Sequence, residues 1–277
     1  MRCAILQLNA SDDPAANLAR TLEYLAEAAD QGARFVLTPE VTNCVSTSRA
    51  HQQEVLARED ADATLAGLRA AAKERGIWLL IGSLALKTDD SDGRFANRSF
   101  LVDPDGGIVA RYDKIHMFDV QVTPEETFRE SAGYRPGDRA VMARTPFANI
   151  GMTICYDMRF PLLYSALANA GADILTVPAA FSPVTGAAHW ESLLRTRAIE
   201  SGVFVIAPAQ TGEHASARNK TRRTWGHSLV VSPWGEVLLD AGEAPGVYLF
   251  DLDMDRVAEA RGRVPSLANA RPFVGPE

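Results

Sequence analysis

Apolar positions recur along the chain in two alternating rhythms. The stretch "RCAILQL" (2–8) is a short apolar run of strand length, and "DPAANLARTLEYLAEAADQGA" follows it with Leu18, Leu22, Leu25 and Ala29 at helical spacing until Gly32 stops it. "RFVLTPE" (34–40) predicts a second strand ending at Glu40, a helix is expected over roughly 61–75, and "GIWLLIGSLAL" (76–86) predicts a third strand. "SFLVDPDGGIVARYDK" (99–114) reads as a hairpin turning at Pro104 to Gly107. Strands alternating with helices in this way predict an α/β fold.

The second half repeats the plan. Gly32 in "QGARFVLTPE" lines up with Gly171 in "AGADILTVPA", an offset of 139 residues that also places Pro39 on Pro178. Further on, "RGIWLLIGS" resembles "SGVFVIAPA", and "SFLVDPDGGIVARYD" resembles "SLVVSPWGEVLLDAG". Two copies of a strand, helix, strand, helix, strand, hairpin unit predict two sheets packed face to face with helices on the outer faces. The copies then form one domain over 1–277 with a pseudo-twofold, its core at about 2–255 and a tail at about 256–277. No Gly/Ser-rich linker divides the halves, and the turn-rich segment 116–148 bridges them.

Composition narrows the function classes. With 47% hydrophobic and 23% charged residues over 277 positions, the chain has enough apolar sequence for a substantial core. A net charge of -7 argues against a mainly electrostatic hold on nucleic acid or an anionic membrane, and the local basic patch "KTRR" (220–223) reads as a solvated loop. The start lacks a signal peptide's apolar core, and no run approaches the ~18 apolar residues of a membrane span, so a cytoplasmic protein is expected. Cys3, Cys44 and Cys155 are widely spaced and odd in number, which indicates neither a disulfide framework nor a paired-thiol zinc site.

Positions that break the repeat are candidates for chemistry. Glu40 stands where its repeat mate is Ala179, at the exit of a strand, a place where α/β folds present catalytic groups. Cys155, in "NIGMTICYDMRFP", ends an apolar strand at a sharp turn ahead of a helix. Backbone N–H groups there can favour a thiolate and form an oxyanion hole, although a lone strand cysteine is also ordinary packing, as expected of Cys3. Lys114 in "RYDKIHMF" follows the first hairpin; it is a solvated lysine or a partly enclosed ammonium. A carboxylate, an ammonium and a thiol together suffice for acyl chemistry as base, oxyanion clamp and nucleophile. No G-x-S-x-G, phosphate-loop, dinucleotide or H-E-x-x-H motif occurs, and the five histidines form no close pair, so no metal site is expected.

The segments "FVLTPE", "RYDKIHMFD" and "IGMTICYDMRFP" resemble the three signature motifs of the nitrilase superfamily, the carbon-nitrogen hydrolases, in order and over nearly the whole chain. "TGAAHWESLLRTRAIE" and "WGHSLVVSPWGEV" further resemble its Nit branch of small-acid amidases. The resemblance implies an α-β-β-α sandwich and a homodimer or larger assembly. It implies Glu40 as general base, Cys155 as nucleophile, Lys114 and the Tyr156 backbone N–H as oxyanion donors, and Glu130 as the glutamate that orients Lys114 or the substrate, with Glu125 and Glu126 competing for that role. It further implies hydrolysis of a small carboxylate-bearing amide, to acid and ammonia or amine, without metal or organic cofactor. Deaminated glutathione is favoured over an omega-amide such as 2-oxoglutaramate. An N-carbamoyl hydrolase, an isochorismatase-like thiol hydrolase and a non-catalytic binding protein are the alternatives.

Departures from the family pattern are "TPE" for its usual "LPE", Leu162 in place of an acid that could pair with Arg159, a long segment at 211–224, and a tail without a basic, tyrosine-ended close. An anionic substrate wants a fixed cation. Arg195, Arg197 and Arg159 are the candidates, with Phe181 and His189 flanking the same region; the competing reading pairs Arg197 with Glu200 across one helical turn.

Overall fold

Local sequence explains where each element begins and ends. In the computed structural model, which describes residues 1–124, 126–217 and 222–276, strand β1 (Arg2–Gln7) leads to helix α1 (Pro14–Asp30). Asp13 caps α1 by accepting from the N–H groups of Ala15 and Ala16, and Pro14 supplies a pre-set first turn. β2 (Phe35–Leu37), the short helix α2 (Arg49–Val55) and α3 (Ala63–Arg75) follow, the last capped by Asp62 and stopped by Gly76 at φ 61°. β3 (Trp78–Leu86), β4 (Ala96–Val102) and β5 (Ile108–Asp113) complete the first half.

The bridge contributes a two-stranded ribbon, β6 (Asp119–Gln121) and β7 (Thr127–Arg129). The second half runs β8 (Val141–Arg144), β9 (Asn149–Met152), α4 (Pro161–Asn169), β10 (Ile174–Thr176), α5 (Pro183–Ser201) and β11 (Phe204–Ala207). A hairpin of β12 (Thr211–His214) and β13 (Arg222–Trp225) then precedes β14 (Leu229–Val231), β15 (Val237–Asp240) and β16 (Gly246–Asp251), and helices α6 (Asp255–Arg263) and α7 (Ser266–Asn269) close the chain. No helix among the described residues is long and apolar enough to cross a membrane.

Two six-stranded mixed sheets result, ordered β16-β1-β2-β3-β4-β5 and β8-β9-β10-β11-β14-β15. Each has three central strands in parallel, flanked by antiparallel neighbours in the same pattern. The repeat read from sequence is thus a repeat of topology. Its detail extends to a register shift at Leu101/Val102 in one copy and at Val230/Val231 in the other, and to left-handed glycines Gly32 and Gly171 at φ 89° and 98°. The sixth strand of each sheet, β16 and β8, was not predicted. β16 comes from the far end of the chain to pair with β1, so the repeat closes on itself only through that strand.

Alternation along the strands sets the layers. Cys3 and Ile5 of β1, Phe35 and Leu37 of β2, and Leu80 of β3 face the second sheet, where Ile150, Met152, Ile174 and Ile206 meet them. Ala4, Leu6 and Val36 point the other way, against Leu25, Leu65 and Leu68 of α1 and α3. Cys3 is fully buried packing, and burial pushes its thiol up to about 12. On α1 the most buried line is Asn17, Thr21, Leu25 and Ala28 rather than the predicted Leu18, Leu22, Leu25 and Ala29. Asn17 is turned inward because its amide bonds the backbone of Ser11 and Asn43 and so holds the loops that approach the Glu40 turn.

Candidate active site

The turn after β2 places Glu40. Thr38 Oγ1 and Thr42 Oγ1 lie 2.7 Å apart, Thr42 Oγ1 donates to Pro39 O, and the Val41 N–H donates to Ser83 Oγ at 2.8 Å. Val41 is held at φ 47°, a strained conformation for a β-branched residue. β3 presses on this turn through Gly82, where a Cβ would stand 2.0 Å from Thr38 O and 2.6 Å from Pro178 Cβ. Only glycine lets the two copies of the repeat meet so closely beside Glu40.

Glu40 is buried, and both its oxygens are engaged. Oε1 accepts from Lys114 Nζ and from Asn97 Nδ2, each at 2.9 Å, and Oε2 accepts from the Ala180 N–H at 2.8 Å. Lys114 is 2% exposed and donates onward to both oxygens of Glu130 at 2.9 and 2.8 Å. Glu130 in turn accepts from the Phe118 N–H. Of its rivals, Glu126 meets Ser182 Oγ on the cavity wall and Glu125 lies outside the described residues. Burial pushes the Lys114 ammonium down, but the charges of Glu130 and Glu40 overcome this and hold it well above a lysine's usual value. Burial likewise pushes Glu40 up, and the charge and hydrogen bond of Lys114 reverse the direction, leaving its carboxyl below the usual range.

Cys155 opens a single 3-10 turn, Cys155–Arg159, directly after β9 and the residues that cross to Pro178; its N–H donates to Pro178 O at 2.9 Å and its φ is 48°. Its thiol is a hydrogen-bond neighbour of the Glu40 carboxylate and of the Ala180 N–H. Burial and then the Glu40 charge raise the thiol well above a cysteine's usual value, with Lys114 only partly offsetting them. The resting site is therefore a neutral thiol beside an ionised carboxylate and an ammonium. The Tyr156 N–H, next along the turn, has no hydrogen-bond partner among the described residues.

One buried carboxylate ties the nucleophile turn to the lysine segment. Asp157 accepts from the Ile154 N–H (2.9 Å), the His116 N–H (3.0 Å), His116 Nδ1 (2.7 Å) and Tyr112 Oη (2.6 Å). The sequence reading missed Asp157, Asn97 and Tyr112. A signal existed for two of them, since the repeat that pairs Glu40 with an alanine also pairs Asn97 with Gly226 and Tyr112 with Ala241.

Glu40, Lys114, Glu130 and Cys155 form the floor of a cavity of about 780 Å³. Phe118, Phe128, Tyr156 and Phe181 make its aromatic wall, with Phe118 5.0 Å from both Phe128 and Tyr156 between ring centres. Phe181 lines the cavity as expected, backed by Trp190. The other substrate-binding candidates do not reach it. Arg197 is buried behind the nucleophile turn, donating Nε to Met158 O at 2.9 Å and pairing with Glu200, so its role is to brace that turn. Arg195 is spent on Gly235 O and Glu191. Arg159 lies behind the wall, over the rings of Tyr156 and Phe181, and meets exposed His189 at 3.2 Å. Leu162 is 84% exposed, and Arg159 takes His189 as its neighbour instead of a carboxylate.

Besides Lys114 and Arg129, two cations at the cavity come from the patch expected to be solvated. Arg222 and Arg223 of β13 line it, because β13 is tied down by Trp225 N–H donating to Phe181 O and by Trp225 packing against Gly186, where a Cβ would come within 2.3 Å. Lys220 and Thr221 of that patch lie outside the described residues. Among the described residues no group of three His, Cys, Asp or Glu side chains is placed to hold a metal ion. The assembled parts suit acyl transfer: a thiol, a carboxylate to take its proton, and an ammonium with a free N–H facing one space.

Residues 2–262 match the family model described as carbon-nitrogen hydrolase. The deaminated glutathione amidase of Yersinia enterocolitica is 38% identical over 97% of this chain and 92% of its own length. The omega-amidase NIT2 of Homo sapiens is 37% identical over 98% and 95%. Among solved structures, Nit3 of Saccharomyces cerevisiae, a member of branch 10 of the nitrilase superfamily, superposes with a TM-score of 0.83 at 27% identity, covering 96% of this chain and 94% of its own. A variant of the amidase of Nesterenkonia sp. AN1, carrying the acetamide moiety of fluoroacetamide covalently on its active-site cysteine, gives 0.78 at 27% identity over 98% and 94%.

Proposed function

The chain belongs to the carbon-nitrogen hydrolase family, and on that premise we propose that it is a thiol amidase of small carboxylate-bearing amides, with deaminated glutathione the favoured substrate. The observation that carries the reading is the meeting of Cys155, Glu40, Lys114 and the free Tyr156 N–H at one cavity floor.

Glu40 is the general base. Because the resting thiol is neutral, its proton passes to Glu40 as sulfur bonds the amide carbonyl carbon, rather than beforehand. The carbonyl oxygen gains charge between Lys114 Nζ and the Tyr156 N–H, donors typically worth about 3 kcal/mol each. Glu130 fixes the ammonium by taking its hydrogens in two bonds. Collapse of the tetrahedral adduct breaks the C–N bond, and the leaving amine takes the proton from Glu40. Water, losing a proton to Glu40, then adds to the Cys155 thioester carbonyl; the C–S bond breaks, the sulfur takes that proton back from Glu40, and the acid is freed.

Deaminated glutathione and 2-oxoglutaramate share the 2-oxoglutaryl acyl group and differ in the leaving amine, cysteinylglycine against ammonia. The cavity, within the ~300–1,000 Å³ usual for small-ligand sites, has room for the larger leaving group. Buried reduced thiols suit a cytoplasmic enzyme, and exposed Leu162, Val184 and Ile199 on α4 and α5 support self-association. The test is a panel of deaminated glutathione, 2-oxoglutaramate, neutral pentanamide and a matched nitrile with purified protein. Release of amine or ammonia is expected, with the highest kcat/KM on deaminated glutathione; no release from any amide would overturn the reading.

A further inference from the structure

Most of the described arginines that lie near acids are spent on them, as Arg98 is on Glu59 and Asp113 and Arg261 on Asp173. The cavity wall departs from this. Its acids are already committed, Glu40 and Glu130 to Lys114 and Glu126 to Ser182 Oγ. Arg129 stands opposite Asp119 across the β6-β7 ribbon, and its charge helps hold that carboxyl below its usual range. Arg222 and Arg223 are different. Among the described residues the Arg223 side chain has no hydrogen bond or ion pair, and the Arg222 side chain has one bond, Nη2 donating to Ala180 O at 2.6 Å; no carboxylate forms an ion pair with it, although its charge helps hold Glu40 down.

That single bond sets where Arg222 can act. Ala180 holds Glu40 Oε2 through its N–H and Arg222 through its carbonyl, so one residue couples the base to the arginine. Summing that residue's width and the hydrogen bonds on either side puts the guanidinium no more than about 10 Å from the thiol. A five-carbon dicarboxylic acyl group runs about 5 Å from its reacting carbonyl carbon to its far carboxylate. The remaining N–H groups of a planar guanidinium suit such a carboxylate, and its tether to Ala180 O lowers the entropy lost on binding.

We infer that Arg222 is the specificity-determining residue of this site, binding the acyl-side carboxylate of the substrate, while Arg223 supplies an attracting field at the cavity mouth. The inference rests on the amidase reading for its scissile bond, and it would let one site take amides that share a carboxylated acyl group and differ in the amine.

The experiment compares 5-amino-5-oxopentanoate with pentanamide, which has the same carbon count and no carboxylate. Wild type is expected to prefer the anionic amide. Arg222→Met should lower the ratio of the two kcat/KM values by about 10- to 100-fold, mainly through KM, and Arg222→Lys should recover part of it. Since both amides use the same base and thiol, a purely structural or electrostatic role through Glu40 would slow both alike and leave the ratio unchanged, which would overturn the inference. Calorimetric binding of glutarate separates this from the function itself. A protein that hydrolyses neither amide but loses glutarate affinity by a similar factor in Arg222→Met refutes the amidase reading and supports Arg222. Equal glutarate binding by both proteins refutes Arg222.

Discussion

At the residue scale, the site is organised by a charge imbalance. Glu40 and Glu130 share one ammonium, so a thiolate at Cys155 would add a second uncompensated negative charge in a buried place. The thiol stays protonated for that reason, and the carboxylate beside it serves as proton acceptor. Two separable consequences of Glu40→Gln follow. Turnover should fall about 10²- to 10⁴-fold with the loss of the base. The thiol pKa should fall as well, because the charge and hydrogen bond that raise it are removed. Ultraviolet titration of the Cys155 thiolate alongside steady-state rates checks both; a thiol pKa that rises, or turnover that holds, contradicts the assignment.

Element-scale architecture decides what the sequence could disclose. The central strands, α1, α3 and the β4-β5 and β14-β15 hairpins were legible because apolar period and turn residues are local signals, and Glu40 stood out because the repeat gave it an alanine mate. β16 and β8 carry no local mark of their partners, since an edge strand finds its neighbour by tertiary pairing. The arginines were misplaced for a related reason. Arg195 and Arg197 lie on a helix whose rotation about its axis composition does not fix, whereas "KTRR" reads as polar loop until β12 and β13 fold it over the cavity.

That hairpin also carries a pH dependence. His214 on β12 is buried, hydrogen-bonded to Ala10 O and to Thr224 Oγ1, and burial lowers its pKa from 6.5 to about 4. Between those values the unfolded chain binds the proton and the folded one does not, so stability must fall as pH drops from 6.5 toward 4. The loss is on the order of 3 kcal/mol. Thermal unfolding across that range should show the decline in wild type and a shallower one in His214→Gln. Parallel curves would mean that His214 is charged in the folded protein or already hydrated.

For the whole molecule, the pseudo-twofold and the chemistry are one arrangement. The two sheets meet with Pro39 and Pro178 at equivalent strand exits, one copy supplies Glu40 and Lys114, and the other supplies Cys155 and the Ala180 N–H. Neither half contains the site, so the catalytic groups come together only when the sandwich is formed. The central claim is that Cys155 is the nucleophile of an amidase. Its most direct test is the rate of amine or ammonia release by wild type and by Cys155→Ala on one amide, with melting temperatures measured in parallel. The account predicts loss of release to background at a melting temperature within about 3 °C of wild type. Equal release by the two proteins would contradict it.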